Sequence, residues 1–345
     1  MKKNMIDLLK SLSKEDLDKI SKKAQPDWVD PMLATLTKDR FSDPEWIFER
    51  KLDGERCITY RDGGQVRMMS RNKKRLNIHY PDLESALAGL DSEHYIVDGE
   101  IVAFEGNITS FSRLQQRMHI QDRDQAKQSD VAVFYYIFDL IYVNGFDISQ
   151  LPQRRRKYLL KHAFDYKDPL RYMIHRTEAG ERYFDEACQR SWEGIIAKDG
   201  KKPYVNGRSR AWLKFKCVNQ QEFVIGGYTD PHGKRIGFGA LLLGYYDDDK
   251  LRYAGKVGTG FDDKTLDRLH AKLKELKREK PPFYADDLPA SEVHWVNPTL
   301  VAEVGFEEWT AENKLRQPRY LGLRIDKDPH DVIKEVPHRI KIEKK

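Results

Sequence analysis

Hydrophobic and polar residues alternate along the last third of the chain in a pattern that predicts five strands and one helix. Three short β-rich runs with glycine-rich turns come first. A charged segment with leucines at helical spacing follows, and then two more β-rich runs. The predicted strands are 222–229, 240–246, 251–256, 293–304 and 319–325, and the predicted helix is 262–277. Five strands with a helix between the third and the fourth are typical of an OB-fold, a barrel often used to bind nucleic acid.

The middle of the chain, from about residue 45 to 216, has a mixed pattern in which strands dominate. The sequence DGG at 62–64 favours a tight turn between two strands. The predicted strands are 57–60, 65–70, 95–104 and 131–143, and the predicted helices are 110–127 and 178–191. The pattern therefore predicts an α+β protein. Its first domain, residues 30–217, would hold antiparallel sheets with helices, and an OB-fold domain would cover residues 218–345.

Residues 1 to about 24 are predicted to form one amphipathic helix within an N-terminal extension, residues 1–29. Ser13 and Asp16 have the spacing of a capping box. A helix that packs against the rest of the protein is the favoured interpretation, and an arm that docks on a partner or contacts DNA is the alternative. Because the segment carries acidic residues and no apolar stretch, we expect neither a signal peptide nor a transit peptide.

Composition narrows the class of protein. Hydrophobic residues make up 39% and charged residues 34%, which indicates a core-forming chain with a charged surface, and no apolar run reaches the roughly 18 residues of a membrane span. Cys57, Cys188 and Cys217 are far apart and form no CxxC pair, so we expect neither a disulfide framework nor a zinc site, and a reducing, cytoplasmic setting. The net charge of +6 mildly favours polyanionic partners.

The sharpest local feature is KLDGER at 51–56, in which Lys51, Asp53, Gly54 and Arg56 form the pattern K-x-D-G-x-R. A lysine is a nucleophile only when neutral, and we expect neighbouring cations to lower the pKa of Lys51. The Asp-Gly turn would let the backbone approach a phosphate, and Arg56 could bind a phosphate or a ribose oxygen. The alternative is a surface turn with an ordinary exposed lysine.

The predicted hairpin adds a second arginine to this region. If the chain turns at 62–63, residues 70–71 return beside 55–56, and Arg71 then lies near Arg56. Two arginines and a lysine at one strand end indicate a site for a polyanion.

The sequence DGE at 98–100 allows two interpretations. Asp-Gly is a strong turn signal, which favours a hairpin. The apolar residues on both sides fit instead a single interrupted strand. Glu100 would then project from a buried strand and need a partner, such as a ribose hydroxyl.

Two lysine-bearing strands follow. EGIIAK at 193–198 places a carboxylate and a lysine around an apolar strand. In WLKFK at 212–216, a period of two puts Leu213 and Phe215 on one face and Lys214 and Lys216 on the other. The two lysines would hold an anion between them, or they would form a solvated strand face.

Two further segments, taken alone, do not indicate a catalytic or binding role. Phe138 lies in an aromatic-rich run, where a core position is the default and stacking on a purine is the alternative. The sequence RIDK at 324–327 has the charged pattern of an exposed surface.

Taken together and in order, these segments resemble the motifs of the covalent nucleotidyltransferase superfamily. The matching segments are KLDGER, SRN (70–72), VDGE (97–100), FDLIYVNG (138–145), EGIIAK, WLKFK and RIDK, and the similarity extends over roughly residues 30–330. Within the superfamily the chain resembles ATP-dependent DNA ligases, and more narrowly the ligase domain of bacterial non-homologous end-joining ligases. The narrower likeness rests on PMLATL (31–36), SFSRLQQR (110–117) and GALLLGYY (239–246).

This resemblance implies a nucleotide site in residues 30–217, the adenylation (nucleotidyltransferase) domain. Lys51 would attack the α-phosphate of ATP and become bonded to AMP. Glu49 would lie near the adenine amino group, and Phe138 would stack on the adenine. Arg56 and Glu100 would contact the ribose.

The resemblance also implies residues for the phosphates and a metal. Arg71 would bind phosphate, first of the nucleotide and later of the DNA 5′ end. Glu193, together with Glu100, would hold a divalent metal, Mg²⁺ with Mn²⁺ as an alternative. Three lysines would neutralise the α-phosphate: Lys198, Lys214 and Lys216. Three OB-domain residues would close over the pyrophosphate: Arg324, Asp326 and Lys327.

A DNA ligase of this kind would pass AMP from Lys51 to a 5′-phosphate of nicked or broken double-stranded DNA and then seal the strand. The OB domain would rotate between steps about a hinge at 217–220. The resemblance also implies a partner such as Ku. A monomer is the default expectation, and we expect the protein in the bacterial cytoplasm, associated with the nucleoid. The alternatives are an RNA ligase or mRNA-capping guanylyltransferase, which share the lysine motif, and an inactive scaffold that binds DNA ends.

Overall fold

The chain divides after Cys217 in a computed structural model, which describes residues 5–233, 235–285, 288–289 and 293–339. One unit comprises the described residues up to Cys217 together with 337–339, and the other comprises those of 218–336. The last described residues join the first unit rather than the OB domain in which they were predicted. These residues pair with a strand end of the first unit, where the backbone N–H of His338 donates to the carbonyl of Leu36 at 2.9 Å.

The described residues of the first unit form helices and two sheets, which bears out the α+β class. The helices are α1 (Met5–Lys10), α2 (Lys14–Leu17), α3 (Pro81–Ala88), α4 (Phe111–Met118), α5 (Arg123–Lys127), α6 (Gln153–Ala163) and α7 (Gly180–Gln189). The strands are β1 (Ser21–Lys22), β2 (Met32–Leu36), β3 (Trp46–Lys51), β4 (Glu55–Asp62), β5 (Gln65–Ser70), β6 (His94–Glu105), β7 (Ile108–Thr109), β8 (Val133–Val143), β9 (Phe146–Asp147), β10 (Leu170–Tyr172), β11 (His175–Thr177), β12 (Gly194–Asp199) and β13 (Gly207–Lys216).

The motif KLDGER connects the two sheets. One sheet has the order β1-β9-β8-β6-β4-β5, with β10 paired to β8 and β7 to β6, and the other has the order β11-β3-β12-β13-β2. Lys51 ends β3 of the second sheet and Glu55 begins β4 of the first. A Cβ on Gly54 would lie 2.2 Å from the carbonyl oxygen of Ile101 on β6. The glycine is therefore required where the link passes the neighbouring strand, a different close approach from the predicted one to a phosphate.

Strand β13 has the predicted alternation. Leu213 and Phe215 are each 1% exposed and pack with Phe48, Ile195 and residues of α7 in one apolar cluster. Burial of this face leaves Lys214 and Lys216 on the opposite one.

The predicted hairpin and the interrupted strand are both confirmed. Strands β4 and β5 pair with Asp62 opposite Gln65 and Cys57 opposite Ser70. The sequence DGE lies inside β6, a single strand of 12 residues, and the hairpin interpretation of it is wrong. The pairing of β6 with β8 is irregular at Asp98 and Gly99, so the Asp-Gly signal marks an irregularity in a strand and not a turn.

The N-terminal segment packs against the rest of the protein, as predicted, but it does not form the single continuous helix that was predicted. Instead of one helix, α1 and α2 are separate, and strand β1 follows them. Ser13 caps α2 by accepting from the N–H of Asp16 at 3.2 Å, as the capping-box spacing predicted. Leu8 is 1% exposed in α1, which supports the packing interpretation. The predicted helix 110–127 is likewise two helices, α4 and α5.

The second unit has the predicted order of three strands, a helix and two strands. Its elements are β14 (Asn219–Thr229), β15 (Leu241–Asp247), β16 (Lys250–Val257), α8 (Asp263–Glu275), β17 (Val293–Phe306), β18 (Arg319–Leu323) and a 3₁₀ helix (Pro329–Asp331). The sheet order is β16-β15-β14-β17-β18. Leu266, Leu269 and Leu273 of α8 are buried against this sheet.

The expectation that no disulfide forms is wrong. Cys188 and Cys217 are bonded, with their Cα atoms 5.2 Å apart. Cys188 belongs to α7 and Cys217 follows β13, and both pack against the same apolar cluster. The fold therefore brings together two cysteines that are 29 positions apart in the sequence. Cys57 is a buried free thiol. In the part of the chain that the structure describes, no helix has the length and apolar character of a membrane span.

Candidate active site

The pairing of three neighbouring strands puts most of the predicted phosphate-binding residues on one sheet face. Gly194 of β12 lies opposite Lys51 of β3 on one side and opposite Lys216 of β13 on the other. In the next row, Ile196 lies between Glu49 and Lys214 in the same way. Because directly opposed residues point to the same side of a sheet, these four charged residues share one face.

Lys51 is held by Glu193. The ammonium Nζ donates to Glu193 Oε2 at 2.5 Å, and the two side chains are 21% and 6% exposed. Burial acts to lower the pKa of Lys51, but Glu193 outweighs it, with Glu100 and Asp53 adding to the effect, and the pKa is raised above its ordinary value. The expectation that neighbouring cations lower this pKa is therefore wrong for this arrangement, because carboxylates are the groups that act on the amine.

Glu49 lies between two lysines. Lys157 Nζ is 2.7 Å from one carboxylate oxygen and Lys198 Nζ is 2.6 Å from the other. All three side chains are at most 3% exposed. Burial acts to raise the pKa of Glu49, but the two lysines outweigh it and hold the pKa below its usual value. Lys198 thus contacts the residue predicted for the adenine side.

Phe138 is a buried ring that contacts two cations. Its centroid lies 4.3 Å from Lys198 Nζ and 4.6 Å from the guanidinium carbon of Arg56. The ring also packs edge-on against Trp212, with centroids 5.9 Å apart. The residue predicted to stack on adenine therefore adjoins both the Glu49 cluster and the arginine predicted for the ribose.

Arg56 is oriented by a carboxylate that the sequence did not assign. Its Nε and Nη2 donate to the two oxygens of Asp98, each at 2.5 Å, and Nη2 also donates to the carbonyl of Met32. Asp98 is fully buried and accepts a further hydrogen bond from the hydroxyl of Tyr204 at 2.7 Å. This bidentate pairing fixes the plane of the guanidinium.

The other two predicted contacts of the first unit lie beside Arg56. Glu100 of β6 is directly opposite Arg56 of β4. Arg71 follows Ser70, which is opposite Cys57, so the hairpin returns it next to Arg56 as predicted.

Arg324 and Asp326, two of the predicted residues of the second unit, form a buried ionic group with Glu303, so the exposed-surface interpretation of RIDK is wrong for them. Arg324 is 8% exposed and donates to both oxygens of Asp326 at 2.8 Å and to Glu303 at 2.7 Å. Lys327 is paired with Glu222 at 3.0 Å.

Sequence reasoning missed Lys157 and an ionic pair that supports it. Lys157 is part of α6, where Arg156 forms a fully buried bidentate pair with Asp139 of β8. The sequence analysis predicted no element over α6, and consecutive basic residues such as RRRK at 154–157 are typical of a solvated surface. Asp139 within FDLIYVNG was the local signal for a buried cation.

The carboxylates around Lys51 have the chemistry of a magnesium ligand set. Among the described residues there is no group of three or more His, Cys, Asp or Glu that could hold a metal by itself. Mg²⁺ is usually held by one or two carboxylates together with substrate phosphates. Glu193 and Glu100, which both act on the Lys51 amine, fit that kind of shared site.

Comparison with known proteins gives the family. The model of the ATP dependent DNA ligase domain matches residues 31–216, and the model of the ATP dependent DNA ligase C terminal region matches residues 234–327. The chain belongs to the ATP-dependent DNA ligases. The resemblance inferred from the motifs is thereby confirmed.

Among relatives of this ligase is the multifunctional non-homologous end joining protein LigD of Pseudomonas aeruginosa. It is 36% identical over 325 residues, which cover 92% of this chain and 38% of that protein. The LigD protein of Mycolicibacterium smegmatis is 34% identical, with coverage of 92% and 41%. The ligase chain thus spans about two fifths of the length of these curated relatives.

A solved structure of mycobacterial DNA ligase D, complexed with ATP and MES, matches the ligase fold with a TM-score of 0.63. The sequences are 34% identical, and the match covers 88% of this chain and 98% of that one. The predicted fold class, an adenylation domain followed by an OB-fold, is confirmed by the family models and this structure.

Proposed function

We propose that this chain is an active ATP-dependent DNA ligase that seals 3′-hydroxyl and 5′-phosphate ends through AMP bonded to Lys51. The observation that carries the proposal is the single sheet face shared by Lys51, Lys214 and Lys216, next to the Lys51–Glu193 pair. A nucleophile beside two cations suits phosphoryl transfer, where positioning and charge stabilisation dominate the rate.

In the first step the Lys51 nitrogen attacks the α-phosphorus of ATP. A P–N bond forms, the bond from the α-phosphorus to the bridging oxygen breaks, and pyrophosphate leaves. The Lys51 ammonium must lose one proton before it attacks and a second as the P–N bond forms. Glu193 Oε2, 2.5 Å away, is within hydrogen-bond reach to accept the first. The second would pass to the departing pyrophosphate or to water. Lys214 and Lys216 would neutralise the α-phosphate, while Lys198 would act from the adenine side through its contact with Glu49.

A divalent metal, when bound, would supply positive charge on the phosphates, with Glu193 and Glu100 as its protein ligands. Mg²⁺ is the proposed ion and Mn²⁺ a substitute. Arg71 would bind the α-phosphate and later the DNA 5′-phosphate. In the second unit, Arg324, Asp326 and Lys327 would act on the pyrophosphate.

The nucleoside would be recognised by the residues clustered around Phe138. Glu49 would accept from the adenine amino group, Phe138 would stack on the base, and Arg56 with Glu100 would contact the ribose. The similar mycobacterial structure is complexed with ATP, which supports ATP as the cofactor here.

The substrate would be nicked or broken double-stranded DNA, and the setting DNA repair. The relatives named for non-homologous end joining support double-strand break joining in a bacterial cell, with Ku as a candidate partner. A monomer at the nucleoid is proposed for the free protein.

Self-adenylation tests the proposal. Wild type and Lys51→Ala would be incubated with α-labelled ATP or GTP and Mg²⁺, and nicked DNA or RNA would then be added. We expect label on the wild type only, from ATP only, and its discharge by DNA into a sealed strand. Labelling by GTP or discharge by RNA alone would assign the chain to the capping-enzyme or RNA-ligase reactions, and equal labelling of Lys51→Ala would refute the role of Lys51.

A further inference from the structure

The carboxylate proposed to face the adenine amino group has a second buried lysine that none of the motifs includes. We propose that Lys157 is a positioning residue that fixes the Glu49 carboxylate and so gives the site its preference for a purine with a 6-amino group. This inference rests on the proposed function, in which Glu49 accepts from that amino group, and extends it to a residue outside the family motifs.

Lys157 is itself held in place from several sides. Its Nζ donates to the carbonyl of Met173 at 2.7 Å and lies 4.3 Å from the ring centroid of Tyr172. The helix that carries it is anchored by the buried pair of Arg156 with Asp139. An ammonium with a backbone acceptor, a ring and a carboxylate around it has little freedom to move, so it can define where the Glu49 oxygen lies.

Charge balance alone would not call for both lysines. One cation neutralises a buried carboxylate, and Asp139 is already paired with Arg156. The second lysine leaves an excess positive charge in the interior, which is costly. The second lysine instead fixes the orientation of Glu49, because Lys157 on one oxygen and Lys198 on the other prevent rotation of the carboxylate.

The same cluster reaches the base-stacking residue. Lys198 Nζ lies 4.3 Å from the ring centroid of Phe138 and 2.6 Å from the Glu49 carboxylate. One group of buried side chains therefore positions both Glu49, at the edge of the proposed adenine site, and Phe138, at its face. Lys157 is the member of this group that α6 contributes.

Lys157 has the charge that this role requires. Burial lowers the pKa of Lys157 to about 8, with Lys198 adding to the effect and Glu49 opposing it, so the side chain remains a cation at neutral pH. The charged and titratable groups that face the cluster from the surrounding strands are Glu49, Lys198, Asp139, Tyr172 and His175.

The test compares ATP with purine riboside triphosphate, which lacks the 6-amino group. Single-turnover self-adenylation of the full chain would be measured with each nucleotide for wild type, Lys157→Met and Lys157→Arg. A hydrogen bond to a charged acceptor corresponds to a preference of about 10- to 100-fold for ATP in the wild type. We expect this ratio to fall about tenfold in Lys157→Met, mainly through a higher KM for ATP, and to be largely restored in Lys157→Arg.

The ratio of the two nucleotides does not depend on the fraction of folded enzyme, so partial unfolding of Lys157→Met does not mimic the result. Lys161→Met, an exposed lysine one turn further along α6, is the matched control and should keep the wild-type ratio. If Lys157→Met loses activity equally with both nucleotides, or retains the wild-type ratio, Lys157 is only structural and the inference is refuted. Failure of the wild type to label from ATP would instead refute the proposed function.

Discussion

At the scale of single residues, the protonation state of Lys51 is set by a neighbouring carboxylate. The motif predicted Lys51 as the nucleophile, and the reasoning from nearby cations predicted a lowered pKa for it. The Glu193 carboxylate at 2.5 Å instead raises that pKa. Lys51 is therefore an ammonium in the free protein, and Glu193 stabilises that form. Because the same carboxylate is a proposed metal ligand, occupation of the nucleotide site would weaken its hold on the amine. Nucleotide and metal binding would thus activate the nucleophile.

His175 provides a pH-dependent prediction. It lies opposite Glu49 on β11, and burial, together with Lys157 and Lys198, lowers its pKa to about 4. Between this value and the ordinary pKa of about 6.5, the unfolded chain binds a proton that the folded chain does not, so stability is lost as pH falls through this range. Since the ring is partly exposed, we expect His175 to account for about 1–2 kcal/mol of the loss between pH 7 and 4.5.

Urea unfolding at both pH values would measure this effect. His175→Gln should lose less stability on acidification than the wild type by that amount. His162→Gln, an exposed histidine on α6, should behave like the wild type. An equal pH dependence in His175→Gln and the wild type would contradict the assignment.

At the scale of elements, the disulfide joins helix α7 to the end of strand β13, which carries Lys214 and Lys216, the lysines proposed to bind phosphate. Cys188 lies in α7, and Cys217 follows Lys216 directly. For a loop of 29 residues, restriction of the unfolded chain corresponds to about 3–4 kcal/mol. We expect Cys188→Ser to lower the free energy of unfolding of the first unit by up to this amount.

Denaturant unfolding with and without reductant checks the expectation. The wild type should approach the stability of Cys188→Ser when reduced, whereas the variant should not respond to reductant. A wild type that is insensitive to reductant would show that the bond contributes nothing to stability.

The elements that could be predicted are those with strong local signals. The alternation in WLKFK predicted the buried and charged faces of β13, and leucine spacing predicted α8. The N-terminal helix was predicted too long because apolar spacing continues across residues 11–13, although Ser13 caps a separate helix that begins at Lys14. Lys157 and the disulfide could not be predicted, since a buried lysine and an exposed one look alike on an amphipathic helix, and contacts across 29 residues have no local pattern.

At the scale of the whole molecule, the proposed reaction requires the second unit to act in different ways on ATP and on DNA. Arg324 and Lys327 belong to that unit, whereas Lys51 belongs to the first. The chain passes from one to the other between Cys217 and Val218, within the predicted hinge at 217–220. The bond to Cys188 holds the side chain of Cys217, so we expect the rotation to fall on the ψ angle of Cys217 and on Val218.

Val218→Pro tests this hinge, because proline fixes φ near −65° and restricts the residue before it. Val218 is 57% exposed, so the change removes little packing, and Val218→Ala is the matched control. A hinge held in one state should support one half-reaction and not the other. We therefore expect nick sealing with ATP to fall about tenfold or more, while either self-adenylation or sealing of pre-adenylated DNA stays near the wild-type rate. If Val218→Pro keeps its melting temperature and all three rates match those of Val218→Ala, rotation at this position is not part of the reaction.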